Sequence, residues 1–222
     1  MSNKGFKYLK LNKIQPMDYY LPVNTPKEQN KVILRIEKII RSSTEYKDYI
    51  LFLKENFDMN ECAFFKGVVH DSEHKNVRIE IHHEPFTLRD YVQTVLTKWL
   101  EEGNPINELY IAEEVMNIHY KNMVGLIPLS RTMHQMAHKS SKCKIPLNCC
   151  YGNYLEFLKE YEDYVDDSLY DKLERKINET KNLTADDFAY LTKEFTYIET
   201  EGVSEAKKLE EDATDNTIYL TA

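Results

Sequence analysis

The sequence predicts an α+β fold that is mainly helical, and three patterns support this prediction. In several segments of residues 32–165, apolar residues recur every three or four positions, which is typical of amphipathic helices. Residues 77–83 instead alternate between apolar and polar, as a half-buried strand does. The 222 residues are 42% hydrophobic and 30% charged, and this composition excludes a chain that is disordered throughout.

The N-terminal region, residues 1–60, is predicted to be an extended arm followed by helix. Residues 1–30 contain three prolines and show no clear period, so we expect them to lie along another part of the protein. Apolar residues then recur at helical spacing over residues 32–57. This stretch is predicted to form one helix, or two helices that are separated at Ser42-Ser43-Thr44.

The middle region, residues 61–150, is predicted to combine a β-hairpin with helices. Residues 63–69 are rich in Phe and Val, and pairing them with residues 77–83 is the simplest prediction. Thr87, with an acidic residue at Asp90, has the signature of a helix start. The elements expected after the hairpin are helices over residues 87–102 and 107–120, a short strand or turn at residues 126–129, and a helix over residues 131–138.

The C-terminal region, residues 151–222, is predicted to be helical and acidic. One helix is expected over residues 154–165 and another from about Thr184. Residues 161–222 hold 17 acidic and 7 basic residues, whereas residues 1–160 hold 20 and 22, so the net charge of -8 arises in the C-terminal part. The middle of the chain is locally basic, as contact with a phosphate backbone requires.

Targeting signals and cysteines bear on the expected compartment. No apolar run approaches the roughly 20 residues that span a bilayer, and the N-terminus lacks the apolar segment of a secretory signal. The four cysteines form no CxxC pair, and reduced thiols are the simplest interpretation. We therefore expect a cytoplasmic protein without a membrane partner, in the host cytoplasm if the chain is phage-encoded.

Two pairs of histidines carry the chemistry that the sequence suggests. His82 and His83 close the alternating strand, whereas His134 and His138 stand four apart in a predicted helix and project from one face. Either pair alone is a weak indicator, because solvated histidines or a core histidine at His83 would also fit. The order of strand, His-His, Leu-x-x-Leu and His-x-x-x-His is more specific and indicates a site for a divalent ion.

This order resembles the HNH endonuclease family, also called ββα-metal or His-Me finger nucleases. The matching segments are residues 78–85 and 126–138, and the resemblance covers roughly residues 62–146. Ser130 and Met133 stand where many members have zinc-binding cysteines. Colicin-type DNases and many phage-encoded members likewise use histidines without these cysteines. The resemblance implies a ββα-metal core with inserted helices, flanked by N- and C-terminal helices, in a phage-encoded protein.

The family also implies roles for single residues in a metal-dependent endonuclease that hydrolyses DNA. His82, His134 and His138 would bind Mg²⁺, Mn²⁺, Ni²⁺ or Zn²⁺, and His83 would be the general base that activates water. Phosphate contacts without sequence preference are expected from four basic side chains: Arg131, Lys139, Lys142 and Lys144.

Two features depart from the family pattern. The middle Asn of the motif aligns with Gly125, and Asn122 would replace it only if the loop is rearranged. Consecutive residues of a strand point to opposite faces, so His82 and His83 reach one site only if the strand ends or bulges there. Pro85 favours such an ending.

A second hypothesis is a catalytically degenerate HNH-fold protein that binds a partner. Its acidic C-terminal region would engage a basic protein, for example as a phage factor that inhibits a host enzyme. Stoichiometric metal binding and salt-dependent retention on DNA separate the two hypotheses. The pattern does not discriminate DNA from RNA.

Overall fold

The computed structural model describes residues 21, 23–65, 67–70, 77–139 and 144–181. The predicted α+β fold with mostly helical content is confirmed within these ranges. The helices are α1 (Pro26–Ser42), α2 (Thr44–Asn56), α3 (Leu88–Glu101), α4 (Glu108–Tyr120), α5 (Arg131–Lys139), α6 (Tyr154–Glu160) and α7 (Asp167–Thr180). The strands are β1 (Ile79–His83) and β2 (Leu126–Ser130). None of the helices in the described ranges is long and apolar enough to cross a membrane.

Capping residues set the ends of the first two helices. Thr25 and Glu28 form a reciprocal capping box, with Pro26 in the first turn, so α1 begins at Pro26. Residues 26–30, which were predicted to belong to an extended arm, are therefore helical, and residues 1–20 of that predicted arm lie outside the described residues. Ser43 ends α1 and its side chain accepts a hydrogen bond from the Tyr46 N–H at the start of α2, so the helical stretch is divided into two helices.

The sheet pairs strands that are distant in sequence. β1 runs antiparallel to β2, from Ile79 opposite Ser130 to His83 opposite Leu126. The predicted hairpin with residues 63–69 is wrong for the described residues, since that segment folds back on itself and Cys62 N–H donates to the Val68 carbonyl. Gly67, at a φ of 77°, lies in this turn.

Helix α5 follows β2 directly and packs against both strands, which gives the order strand, strand, helix. The intervening α3 and α4 pack against each other and against α1. One hydrophobic cluster runs from Val32 to Ile177 and includes residues of all three predicted regions. The core therefore holds the sheet and α5 in place from several parts of the chain.

The C-terminal part contains a helix that the sequence analysis missed. The helix expected over residues 154–165 ends at Glu160 and is followed by a 3-10 turn at Glu162–Tyr164. Helix α7 begins after Asp166, whose side chain caps it, and buries residues at every fourth position: Leu169, Leu173 and Ile177. The helix predicted from Thr184 lies outside the described residues.

Candidate metal centre

Three histidines meet where α5 crosses the sheet. His82 projects from β1, and His134 and His138 project from successive turns of α5, with one ring nitrogen from each residue within 4.8 Å of the others. The Nε2 atoms of His134 and His138 lie 3.2 Å apart. Tetrahedral ligands with metal–nitrogen bonds of about 2 Å lie roughly 3.3 Å apart, so this spacing suits imidazoles that share one cation.

Local packing orients the two helical histidines. The Ser130 hydroxyl accepts a hydrogen bond from the Met133 N–H at the start of α5, and the Met133 side chain is buried. His134 follows on the half-buried flank of the helix, and His138 is exposed. His82 is only 5% exposed. The group therefore extends from the buried sheet to the surface, where His138 is accessible to solvent.

Two glutamates on the His82 side of β1 contact this group. Glu80 Oε2 lies 2.5 Å from His134 Nδ1, and Glu84 Oε2 lies 3.3 Å from His82 Nε2. Lys176 on α7 places its Nζ 2.6 Å from the other oxygen of Glu84. Burial opposes ionisation of Glu84, but His82 and Lys176 hold its pKa below the usual value. The period-two spacing of positions 80, 82 and 84 is the sequence signal for both carboxylates.

His83 lies on the opposite face of β1 from the three histidines. The strand continues regularly through His83, which pairs with Leu126, so alternation separates it from His82. Its Nε2 lies 3.0 Å from His119 Nε2, and both residues are buried. The prediction that the strand ends or bulges, so that His82 and His83 reach one site, is therefore wrong. The strand places His83 against α4 instead.

The His83–His119 pair is held in one tautomeric arrangement. His119 Nδ1 donates to the Val115 carbonyl at 2.7 Å, which leaves its Nε2 to accept a hydrogen bond from His83 Nε2. The rings of Tyr46 and Tyr49 lie nearly perpendicular to the His119 ring, with centroids 5.9 and 5.6 Å from it. Burial lowers the pKa of His83 well below 6.5, and it lowers the pKa of His119 to about 4. Both imidazoles are neutral at pH 7.

Neither of the two loop positions supplies an orienting amide. A Cβ at Gly125 would lie 1.8 Å from the Glu84 carbonyl oxygen, because the two backbones lie side by side and the Glu84 N–H donates to the Gly125 carbonyl at 3.0 Å. An asparagine therefore has no room at Gly125. Asn122 follows α4 at a φ of 60°, and its side-chain oxygen and nitrogen are buried without a hydrogen-bond partner among the described residues.

The four basic residues expected to contact phosphate differ in their surroundings. Arg131 and Lys139 are exposed at opposite ends of α5, on the helix that carries His134 and His138. Lys144 is half-buried, with its Nζ 3.4 Å from the backbone carbonyl of a residue in α7. Lys142 lies outside the described residues. Of the three residues that the structure describes, Arg131 and Lys139 are therefore the two whose side chains are exposed on the same helix as His134 and His138.

The match to a family profile shows that this is a bacteriophage protein. The profile of the Bacteriophage G278-like virion protein family matches residues 2–211, and the chain belongs to that family. The phage origin that the family resemblance implied is confirmed. Searches of the curated proteins and of the solved structures gave no match.

Proposed function

We propose that this virion-family protein binds a divalent transition metal and hydrolyses phosphodiester bonds, with DNA as the first substrate to test. The observation that carries the proposal is the approach of nitrogens from His82, His134 and His138 to within 4.8 Å of one another. They lie on a strand and on the helix that follows its partner strand, in the order of the HNH pattern. We also propose that β1, β2 and α5 together form an HNH (ββα-metal) core.

The donor set fits a transition metal better than magnesium. Three imidazole nitrogens suit Zn²⁺ or Ni²⁺, whereas Mg²⁺ prefers oxygen ligands. A divalent cation held by His82, His134 and His138 would supply a Lewis acid that stabilises charge on the leaving oxygen. The exposed position of His138 leaves one side of the group accessible to a phosphate.

Arg131 and Lys139 would anchor the nucleic acid backbone beside the metal site. Both are cationic and exposed, and they flank the histidines along α5. Such contacts fix the position of a phosphate and carry no information about the base. The proposal therefore predicts weak sequence preference and binding that decreases steeply with salt.

His83 is the proposed proton acceptor, in a specific protonation state. Because its Nε2 donates to His119, the lone pair of the neutral ring is on Nδ1. His83 is the last residue of β1, so water would approach it around the end of the strand rather than across the sheet.

The second candidate function is a binding module of the virion without catalysis. The burial of His83 and the absence of space at Gly125 favour this alternative. A metal would then only stabilise the fold, and the acidic C-terminal region would bind a basic partner protein. The virion family also makes the phage particle a location to test beside the host cytoplasm, by immunoblotting of purified particles.

Nicking of supercoiled plasmid tests the enzyme directly. The full chain would be stripped with chelator and supplied with Zn²⁺, Ni²⁺, Mn²⁺ or Mg²⁺, with labelled RNA in parallel. Metal content would be measured on the same samples. We expect one equivalent of metal and metal-dependent cutting that His134→Ala and His83→Ala each abolish, while Glu113→Gln on the exposed face of α4 has no effect.

The outcomes separate the two candidate functions. Metal binding without cutting of DNA or RNA would support the binding module. Cutting that survives His83→Ala would retain the nuclease and remove His83 as its base. A folded protein that binds no metal would overturn the proposed site.

A further inference from the structure

We infer that Glu80 and Glu84 position two of the three metal-binding imidazoles, Glu80 through His134 and Glu84 through His82. The inference rests on the proposed metal site and adds a supporting pair of carboxylates to it. Within the described residues, the group of close donor atoms comprises the three histidines and neither glutamate. Both glutamates are therefore assigned as positioning residues rather than as ligands.

Glu80 fixes which nitrogen of His134 is available. Its Oε2 lies 2.5 Å from His134 Nδ1. An ionised carboxylate only accepts hydrogen bonds, so Nδ1 must carry the proton and the lone pair is on Nε2. Nε2 is the atom that lies 3.2 Å from His138 Nε2. The hydrogen bond thus directs the metal-binding electron pair of His134 towards the other ligands.

Glu84 fixes His82 through the opposite ring atom. Its Oε2 lies 3.3 Å from His82 Nε2, which places the proton on Nε2 and leaves the lone pair of His82 on Nδ1. Glu84 is 4% exposed, and the ammonium group of Lys176 lies 2.6 Å from its Oε1. Because the ammonium group pairs with Oε1, the other oxygen of Glu84 is left to accept the hydrogen bond from His82.

The two carboxylates reach the histidines because β1 has a period of two. Glu80 and His82 share a face of the strand, and Glu84 continues the same alternation just past the strand end. Carboxylates that accept hydrogen bonds from metal-binding imidazoles orient the rings and increase their basicity. Removal of such a partner typically weakens metal affinity by about 10- to 100-fold.

Nitrogen-15 NMR of the metal-free protein tests the tautomers without any need for activity. We expect His134 with its proton on Nδ1 and His82 with its proton on Nε2 in the wild-type chain. Glu80→Ala should shift His134 to the Nε2–H form, whereas Glu80→Gln should keep the wild-type form because the amide oxygen still accepts. A wild-type His82 with its proton on Nδ1 would overturn the assignment of Glu84.

Calorimetric titration with Zn²⁺ or Ni²⁺ supplies the second measurement. We expect Glu80→Ala to weaken binding by about 10- to 100-fold, and Glu80→Gln to weaken it less. The matched control Glu113→Ala removes an exposed glutamate from α4 and should change affinity by less than about twofold. Unchanged affinity in Glu80→Ala would overturn the inference, while a wild-type chain that binds no metal would overturn the proposed site itself.

Discussion

The Nε2 atoms of His83 and His119 lie 3.0 Å apart, between the last residue of β1 and the final turn of α4. One ring donates and the other accepts, because His119 has already placed its proton on the nitrogen that faces the Val115 carbonyl. The contact connects the sheet to the helices inserted between its two strands. It also gives His83 a fixed orientation that neither Gly125 nor Asn122 provides.

The neutral state of His119 makes stability depend on pH. In the unfolded chain its pKa is about 6.5, and in the folded protein burial lowers it to about 4. Between these values the unfolded state binds more protons at this residue, so the contribution of His119 to stability is complete above about pH 6.5 and is lost as pH falls from about 6.5 to about 4. The loss is at most about 1.4 kcal/mol per pH unit.

Urea unfolding of the wild type and of His119→Gln over pH 4–8 measures this dependence. The glutamine carbonyl still accepts from His83 but does not titrate, so the variant should have a shallower slope below pH 6.5. Identical slopes in the two proteins would show that other groups cause the acid sensitivity.

A side chain at Gly125 should be strongly destabilising. Its Cβ would lie 1.8 Å from a backbone oxygen of Glu84, which has no freedom to rotate away. We expect Gly125→Ala and Gly125→Asn each to cost on the order of 3 kcal/mol in chemical denaturation. Introducing the asparagine of the HNH pattern at Gly125 should therefore lower the stability of the protein and not increase it.

Gly103→Ala is the control for this prediction. Gly103 has a φ of 69°, and its Cβ would have nothing within 4 Å, so only the backbone conformation opposes the substitution. A cost of about 1 kcal/mol is expected. Similar costs at Gly103 and Gly125 would mean that the backbones of residues 84 and 125 separate readily.

The Glu114 carboxylate on α4 contacts side chains of α3 and the tyrosine that follows α6. It accepts hydrogen bonds from Lys98 Nζ at 2.7 Å, Trp99 Nε1 at 2.6 Å and Tyr161 OH at 3.0 Å. Glu114→Ala should lower the free energy of unfolding by about 2 kcal/mol, because these donors lose a charged acceptor. Glu113→Ala, at the adjacent exposed position, should change the free energy of unfolding by no more than about 0.5 kcal/mol. Equal changes in the two variants would show that the hydrogen bonds of Glu114 do not stabilise the fold.

Removal of the Lys176 side chain should lower the stability of the fold, because Glu84 would then be a buried carboxylate without its cationic partner. The Glu84 side chain is 6% exposed, so removal of its cation in Lys176→Ala should cost about 2–3 kcal/mol. Lys172→Ala is the matched change on the same helix, where the Asp90 partner is 18% exposed and also accepts from Thr87. Its expected cost is about 1 kcal/mol or less, and thermal denaturation would compare the two.

Local signals explain why the helices were predicted well. The Thr87–Asp90 capping box and the Ser43 cap act within four residues, so the sequence displays them directly. Helix α7 was missed although Asp166 caps it, because its buried positions are interrupted by charged residues. Short-range chemistry therefore predicted helix starts better than the spacing of apolar residues predicted helix extents.

Long-range pairing explains what the sequence did not predict. The partner of β1 is β2, beyond two helices, whereas the hairpin prediction chose the nearest apolar segment. The approach of His82 to His134 and His138 was expected from the family resemblance. The contact between His83 and His119 was not, since it depends on how α4 packs beside the strand.

The ion pair between Lys176 and Glu84 has a thermodynamic consequence for α7. If the proposed site binds metal through a His82 that is held by Glu84, then metal loading and docking of α7 are linked, and the linkage acts equally in both directions. Amide protons of α7 should then exchange more slowly with solvent when metal is added. By the same reciprocity, a binding partner that moves α7 away from the sheet would weaken the binding of the metal ion at the proposed site.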